Sequence, residues 1–223
     1  MYRLVINTDR YIIAQEVMMG NSGKRGRPRS FDQGETLDKA MKVFWKQGFG
    51  GTSYADLTEA TGLNKPSLYA AFGDKEALFT EALTCYESNY LKPLREAFVA
   101  EPDFRKGLRD LLEGYVSLYA GTAGTDGCFL ATTVSDLGAP SFPQDVRQEL
   151  HQAIDHSQVS YLERLRHAAE AGDLPAHMTP EAALMFLNVF VMGLATSAKA
   201  GLAGQGGGAL IPAVEAALRL FEA

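Results

Sequence analysis

The sequence predicts an all-α protein with a three-helix, helix-turn-helix head near its N-terminus and a larger helical body behind it. Three observations carry that expectation. Apolar residues recur at helical spacing along most of the chain, and no stretch alternates apolar with polar as a half-buried strand would. Between Thr52 and Lys75, two short helix-forming stretches flank a break at Gly62. Charge is divided: residues 1–75 hold eleven basic and eight acidic side chains, net +3, while 76–223 hold ten and nineteen, net −9. A basic head on an acidic body suits phosphate contacts confined to the head.

Residues 1–30 read as a flexible extension ending in a basic arm. The opening MYRLVINTDRYIIAQEVMMG lacks the cationic head and long apolar core of a signal peptide, and a translation start at Met18 or Met19 rather than Met1 stays open. In GNSGKRGRPRS, residues Lys24, Arg25, Arg27 and Arg29 carry four positive charges within six positions. Such a run is usually a solvated tail, but directly before a DNA reader an arginine-bearing arm follows the backbone or enters a minor groove.

The reading head is expected over 31–75. Its first helix should run from about Asp32 to Gln47, with Asp32 and Glu35 as a capping-box-like start and Gly48 as the stop. Leu37, Ala40, Met41 and Phe44 form its apolar stripe, completed by Trp45 and Phe49. Thr52 is read as the cap of a helix over 53–61 that buries Leu57 and stops at Gly62. Asn64 caps the next helix, Pro66 fits its first turn, and Leu68 and Phe72 share one face. Helices this short must pack on a neighbour, which leaves Lys65, Ser67, Tyr69, Ala70 and Ala71 facing outward. Small and polar residues let that face approach another surface closely, and the second helix of a helix-turn-helix lies in the major groove of DNA.

The body is expected over 76–223. Asp74 caps a longer helix through Leu78, Ala82, Leu83 and Tyr86 toward Pro93. An amphipathic helix from Phe104 to Tyr119 ends in the glycine-rich GTAGTDG, a short apolar segment spans Cys128 to Leu137, and a long helix from about Gln144 to Ala171 closes at Gly172. Thr179 caps a helix whose run AALMFLNVFVMGLA is apolar on nearly every side and is therefore expected to be buried on both sides. Its apolar core, Ala182 to Leu194, is interrupted by Asn188 and reads as shorter than the ~20 residues of a membrane span, so no membrane partner is expected. Val214, Leu218 and Phe221 mark a last helix over about 209–222.

The block GLNKPSLYAAFGDKEALF, entered through Gly51, Thr52 and Ser53, resembles the DNA-binding domain of TetR-type transcriptional regulators, over about Gly26 to Leu83 and more loosely beyond. The resemblance implies a homodimer that binds a double-stranded inverted-repeat operator as a repressor and is released when a small-molecule effector enters the body. It places the base-edge readers at Lys65, Pro66, Ser67 and Tyr69, with Ala70 and Ala71 where many relatives carry an aromatic and a histidine. Those methyl groups can touch thymine methyls but donate no hydrogen bond. Thr52, Ser53, Tyr54, Tyr69 and Lys75 are the expected phosphate contacts. The last two helices would pair with those of a second copy, and an effector pocket would be lined by Tyr86, Tyr90, Tyr115, Tyr119, Phe129, Tyr161, Phe186 and Phe190, each of which is also an ordinary core residue.

Catalytic signatures are missing: there is no GxSxG, no HExxH, and no glycine loop ending in Gly-Lys-Ser/Thr. No cofactor and no enzyme activity are expected. His151, Asp155 and His156 lie close in sequence, but the two histidines stand five apart, about 140° around a helix, so no metal site is expected. Two cysteines, Cys85 and Cys128, cannot build a disulfide framework, which suits a reducing cytoplasm. Cys128 follows Gly127 at an expected helix start, where the dipole favours a thiolate, and a Gly-Cys there resembles one thiol-sensing subgroup of the family. The plainer reading of Cys128 is a small buried residue. The competing function is a small-molecule-binding or interaction protein whose helix-turn-helix no longer binds DNA specifically.

Overall fold

Ten α-helices and no β-strand occur among the residues that the computed structural model describes, which are 31–121, 127–139 and 142–222. The N-terminal extension, its alternative starts and the arm residues Lys24, Arg25, Arg27 and Arg29 lie outside them.

Helix α1 (Gln33–Gly51) is the centre of the head and buries Ala40, Met41, Phe44, Trp45 and Phe49. It breaks at Gly48, whose φ of 72° is open to glycine, so the expected stop appears as a kink followed by one more turn. At the kink, Thr52 is tied back to the Gly48 carbonyl. That carbonyl accepts the Thr52 hydroxyl at 2.7 Å, and Thr52 is buried. The cap of α2 (Tyr54–Thr61) is therefore Ser53, not Thr52 as the sequence suggested. The Ser53 hydroxyl accepts the Asp56 main-chain N–H at 3.2 Å, and the Asp56 carboxylate accepts the Ser53 N–H at 2.7 Å, a capping box with aspartate at its third position.

Gly62, at φ 72°, closes α2 in the left-handed conformation. In α3 (Lys65–Phe72) the Asn64 side chain accepts the Ser67 N–H at 2.9 Å, while Leu68 and Phe72 are buried. Asp74 caps α4 (Lys75–Tyr86) by accepting the Ala77 N–H at 2.8 Å. The rod continues through a π turn, Glu87–Leu91, into α5 (Lys92–Ala100). Pro93 has no N–H to give the carbonyl four residues back, and the hydrogen-bond ladder widens immediately before it.

The body adds α6 (Phe104–Tyr119), α7 (Phe129–Asp136), α8 (Gln144–Ala171), α9 (Pro180–Lys199) and α10 (Ile211–Arg219). Two expectations are corrected here. α9 is not buried on both sides within one chain: Ala183, Leu187, Leu194 and Ala198 face the core, whereas Met185 and Val189 are 64% and 65% exposed. At 20 residues it is also long and apolar enough to cross a membrane by length and composition, so the expected shortfall does not hold. In α10 and the turn after it, Val214, Leu218 and Phe221 pack into their own chain, leaving Ile211 and Leu220 exposed.

Candidate nucleic-acid interface

Three helix N-termini converge on the head surface, each with its own cap: Ser53 for α2, Asn64 for α3 and Asp74 for α4. The first residue of each helix is, in turn, Tyr54, Lys65 and Lys75. Unpartnered N–H groups and the positive dipole end make each such terminus favourable to anions. α3 stands clear of its own chain along one face: Lys65, Pro66, Tyr69 and Ala70 are exposed, Ser67 and Ala71 half-buried, and Tyr69 is the most open aromatic of the head at 59%.

The two lysines are seated on aromatic rings. Lys65 Nζ lies 4.2 Å from the centroid of Tyr54, and Lys75 Nζ 4.3 Å from that of Phe49. Burial pushes the Lys75 pKa down, against the pull of Glu76 and Asp56. Asp56 is held below its usual range by the Ser53 hydroxyl and N–H. Ser53 is exposed, but its hydroxyl already donates to Asp56 at 2.6 Å. Thr52, expected to touch phosphate, is turned inward: it is buried and its hydroxyl donates to the Gly48 carbonyl.

In the body, Tyr86, Tyr115, Tyr119 and Phe129 are buried, and Tyr90, Tyr161, Phe186 and Phe190 half-buried. Six of these eight form one cluster around Cys128. The Tyr86 hydroxyl donates to Cys128 Sγ at 3.3 Å, Tyr90 stacks on Tyr86, Tyr119 on Tyr115, and the Tyr115 and Tyr161 hydroxyls meet at 2.9 Å. Phe186 and Phe190 stand apart, stacked on each other along α9, with Phe186 against Phe221.

Cys128 does cap α7, accepting the Ala131 N–H at 3.4 Å, but burial pushes its thiol pKa up despite the Tyr86 hydroxyl and the helix N–H groups. Desolvation outweighs the helix end, which favours the plainer reading of Cys128 as a small buried residue over a thiol sensor. His151 and His156 are exposed on α8, and no group of three metal-ligating side chains converges among the described residues.

Sequence reasoning missed the ring under each lysine. It also missed the junction of α1 with the end of α7 and the segment after it, where Phe142 packs 5.6 Å from Phe49 and the Asp136 carboxylate lies beside Gly48. Phe49 and Phe142 lie 93 positions apart, and nothing local in the sequence marks their meeting.

An exposed second helix on a capped helix-turn-helix, followed by an all-helical body, defines a helix-turn-helix DNA-binding transcription regulator. The chain belongs to the TetR family: the model for bacterial regulatory proteins of the tetR family matches residues 37–82, and that for the tetracyclin repressor-like C-terminal domain matches 105–204. It is 33% identical over 178 residues to the HTH-type transcriptional repressor ComR of Escherichia coli K12, covering 79% of this chain and 84% of that one. The E. coli repressor BdcR is 27% identical over 176 residues, covering 79% and 83%. Among solved structures, a cysteine-substituted TetR family regulator, CifR, in complex with 26-base-pair operator DNA superposes with a TM-score of 0.75 at 35% identity, covering 88% of this chain and all of that one.

Proposed function

We propose that this regulator is a one-component repressor that works as a homodimer, binding an inverted-repeat operator through the 64–71 helix and leaving it when a small molecule enters the body. The observation that carries the reading is the pairing of two unpartnered faces. One is the polar and small-residue face of α3, flanked by Lys65 and Lys75; the other is the apolar stripe of Met185, Val189 and Met192 along α9. The first fits a major groove, and the second fits a second copy of the chain. Two recognition helices about one DNA turn apart, ~34 Å, read a twofold site that one head would bind weakly.

In this division of labour, 31–75 reads DNA, 76–223 holds the effector and the dimer interface, and the arm within 1–30 adds Lys24, Arg25, Arg27 and Arg29 as backbone or minor-groove contacts. Lys65, Pro66, Ser67, Tyr69, Ala70 and Ala71 face the bases, while Tyr69, Lys75, Ser53 and Tyr54 meet phosphates. The tyrosine cluster around Cys128 supplies an apolar effector site with a few hydroxyl contacts. Release follows if the effector binds the spacing of heads that does not match DNA more tightly than the one that does. The test is selection of duplexes from a random-sequence pool at fixed salt. The proposal expects two half-sites related by a dyad, and recovery of unrelated sequences would overturn it.

A further inference from the structure

Lys65 occupies the first position of α3, next to the positive end of the helix dipole, and no acidic residue stands in that first turn. A free lysine there is repelled by its own helix end and samples many rotamers. Its ammonium lies instead over the Tyr54 ring, 4.2 Å from the centroid. Tyr54 is itself half-buried at the first position of α2, with the main chain of Lys75, at the first position of α4, close to its hydroxyl. One ring therefore links the start of α2 to that of α3.

We propose that Tyr54 is a positioning residue, whose ring face seats the Lys65 ammonium so that the lysine reaches DNA already oriented. This rests on the reading that Lys65 contacts DNA, and it gives Tyr54 a part beyond the phosphate contact proposed above. An ammonium held over a ring surrenders little freedom on binding, and an aromatic face repays part of the water it loses. The seat needs the π face and not the hydroxyl, so phenylalanine should serve and an aliphatic side chain should not.

The test is a double-mutant cycle on a duplex that the wild-type protein selects from a random pool, with binding measured at fixed salt and the thermal midpoint of each variant followed in parallel. Tyr54→Phe, which gives up only the hydroxyl placed on phosphate, is the reference: Tyr54→Leu is expected to bind about 3- to 10-fold more weakly than Tyr54→Phe, and less than about 2-fold more weakly once Lys65→Ala is present in both. An equal deficit of Tyr54→Leu against Tyr54→Phe in both backgrounds, or no deficit with Lys65 in place while Lys65→Ala weakens binding, overturns the seat alone. Wild-type binding by Lys65→Ala overturns both the seat and the Lys65 contact. If Tyr54→Leu does not fold, the Lys65 ε-methylene protons in the free wild-type and Tyr54→Phe proteins decide. An upfield ring-current shift in both supports the seat, and random-coil positions overturn it.

Discussion

Changing Val189 to aspartate should take the protein apart into single chains without unfolding them. Val189 is 65% exposed on α9, between Met185 at 64% and Met192 at 37%, so most of its apolar surface is free to be buried by a second copy. Full burial of such a side chain stabilises by about 1.5–3 kcal/mol, so the exposed share amounts to about 1–2 kcal/mol per chain. A twofold interface counts the change twice, about 2–4 kcal/mol, and two carboxylates brought near the axis add to it. That corresponds to a dimer weakened by roughly 30- to 1000-fold. Sedimentation equilibrium of Val189→Asp beside wild type reads this directly, with Val99→Asp on α5, also exposed, as a control of equal charge. Wild-type association by Val189→Asp would refute the assignment of α9 to the interface.

Other outcomes rest on the same geometry. Thr52→Val removes the buried donor to the Gly48 carbonyl and should lower stability by about 1–3 kcal/mol in a denaturant titration, while Thr52→Ser keeps it. A loss of DNA affinity at unchanged stability would instead place that hydroxyl on phosphate. Cys128 is buried with its thiol pKa raised, so alkylation of the native protein at neutral pH, followed by mass spectrometry, should be at least about 100-fold slower than in denaturant. Rapid native labelling would restore the sensor reading. Asp56 has a folded pKa below 3.8, so its capping contribution is complete above that value and is lost as pH falls through the lower, folded one. Asp56→Asn should accordingly flatten the acid side of a melting-temperature profile, and an unchanged profile would show that the carboxylate does not stabilise α2.

What the sequence disclosed was local, and what it hid was contact between distant parts. Asn64, Pro66, Leu68 and Phe72 define α3 and its outward face within nine positions, so that face was legible from the residues alone. The cap of α2 was misread although a local signal existed: Ser53 has Asp56 three residues on, whereas Thr52 has Ala55, which carries no acceptor to complete the box. All-round apolar character marked α9 as a packing helix but could not say whose surface covers each side; its own chain covers one. The helix start at Cys128 was readable, yet the sign of its pKa shift is set by burial that only the fold creates, against the lowering hydrogen bonds of Tyr86 and Tyr119. The same holds for Lys65, whose ring partner is eleven positions away on another helix.

Hydroxyl-radical footprinting of the wild-type protein on its selected duplex bears most directly on whether α3 reads DNA as one of a pair. Two protected patches on one face of the helix, centred about one turn apart, are the predicted result, with both faded by Lys65→Ala. A single protected patch, or protection indifferent to Lys65, would contradict the account.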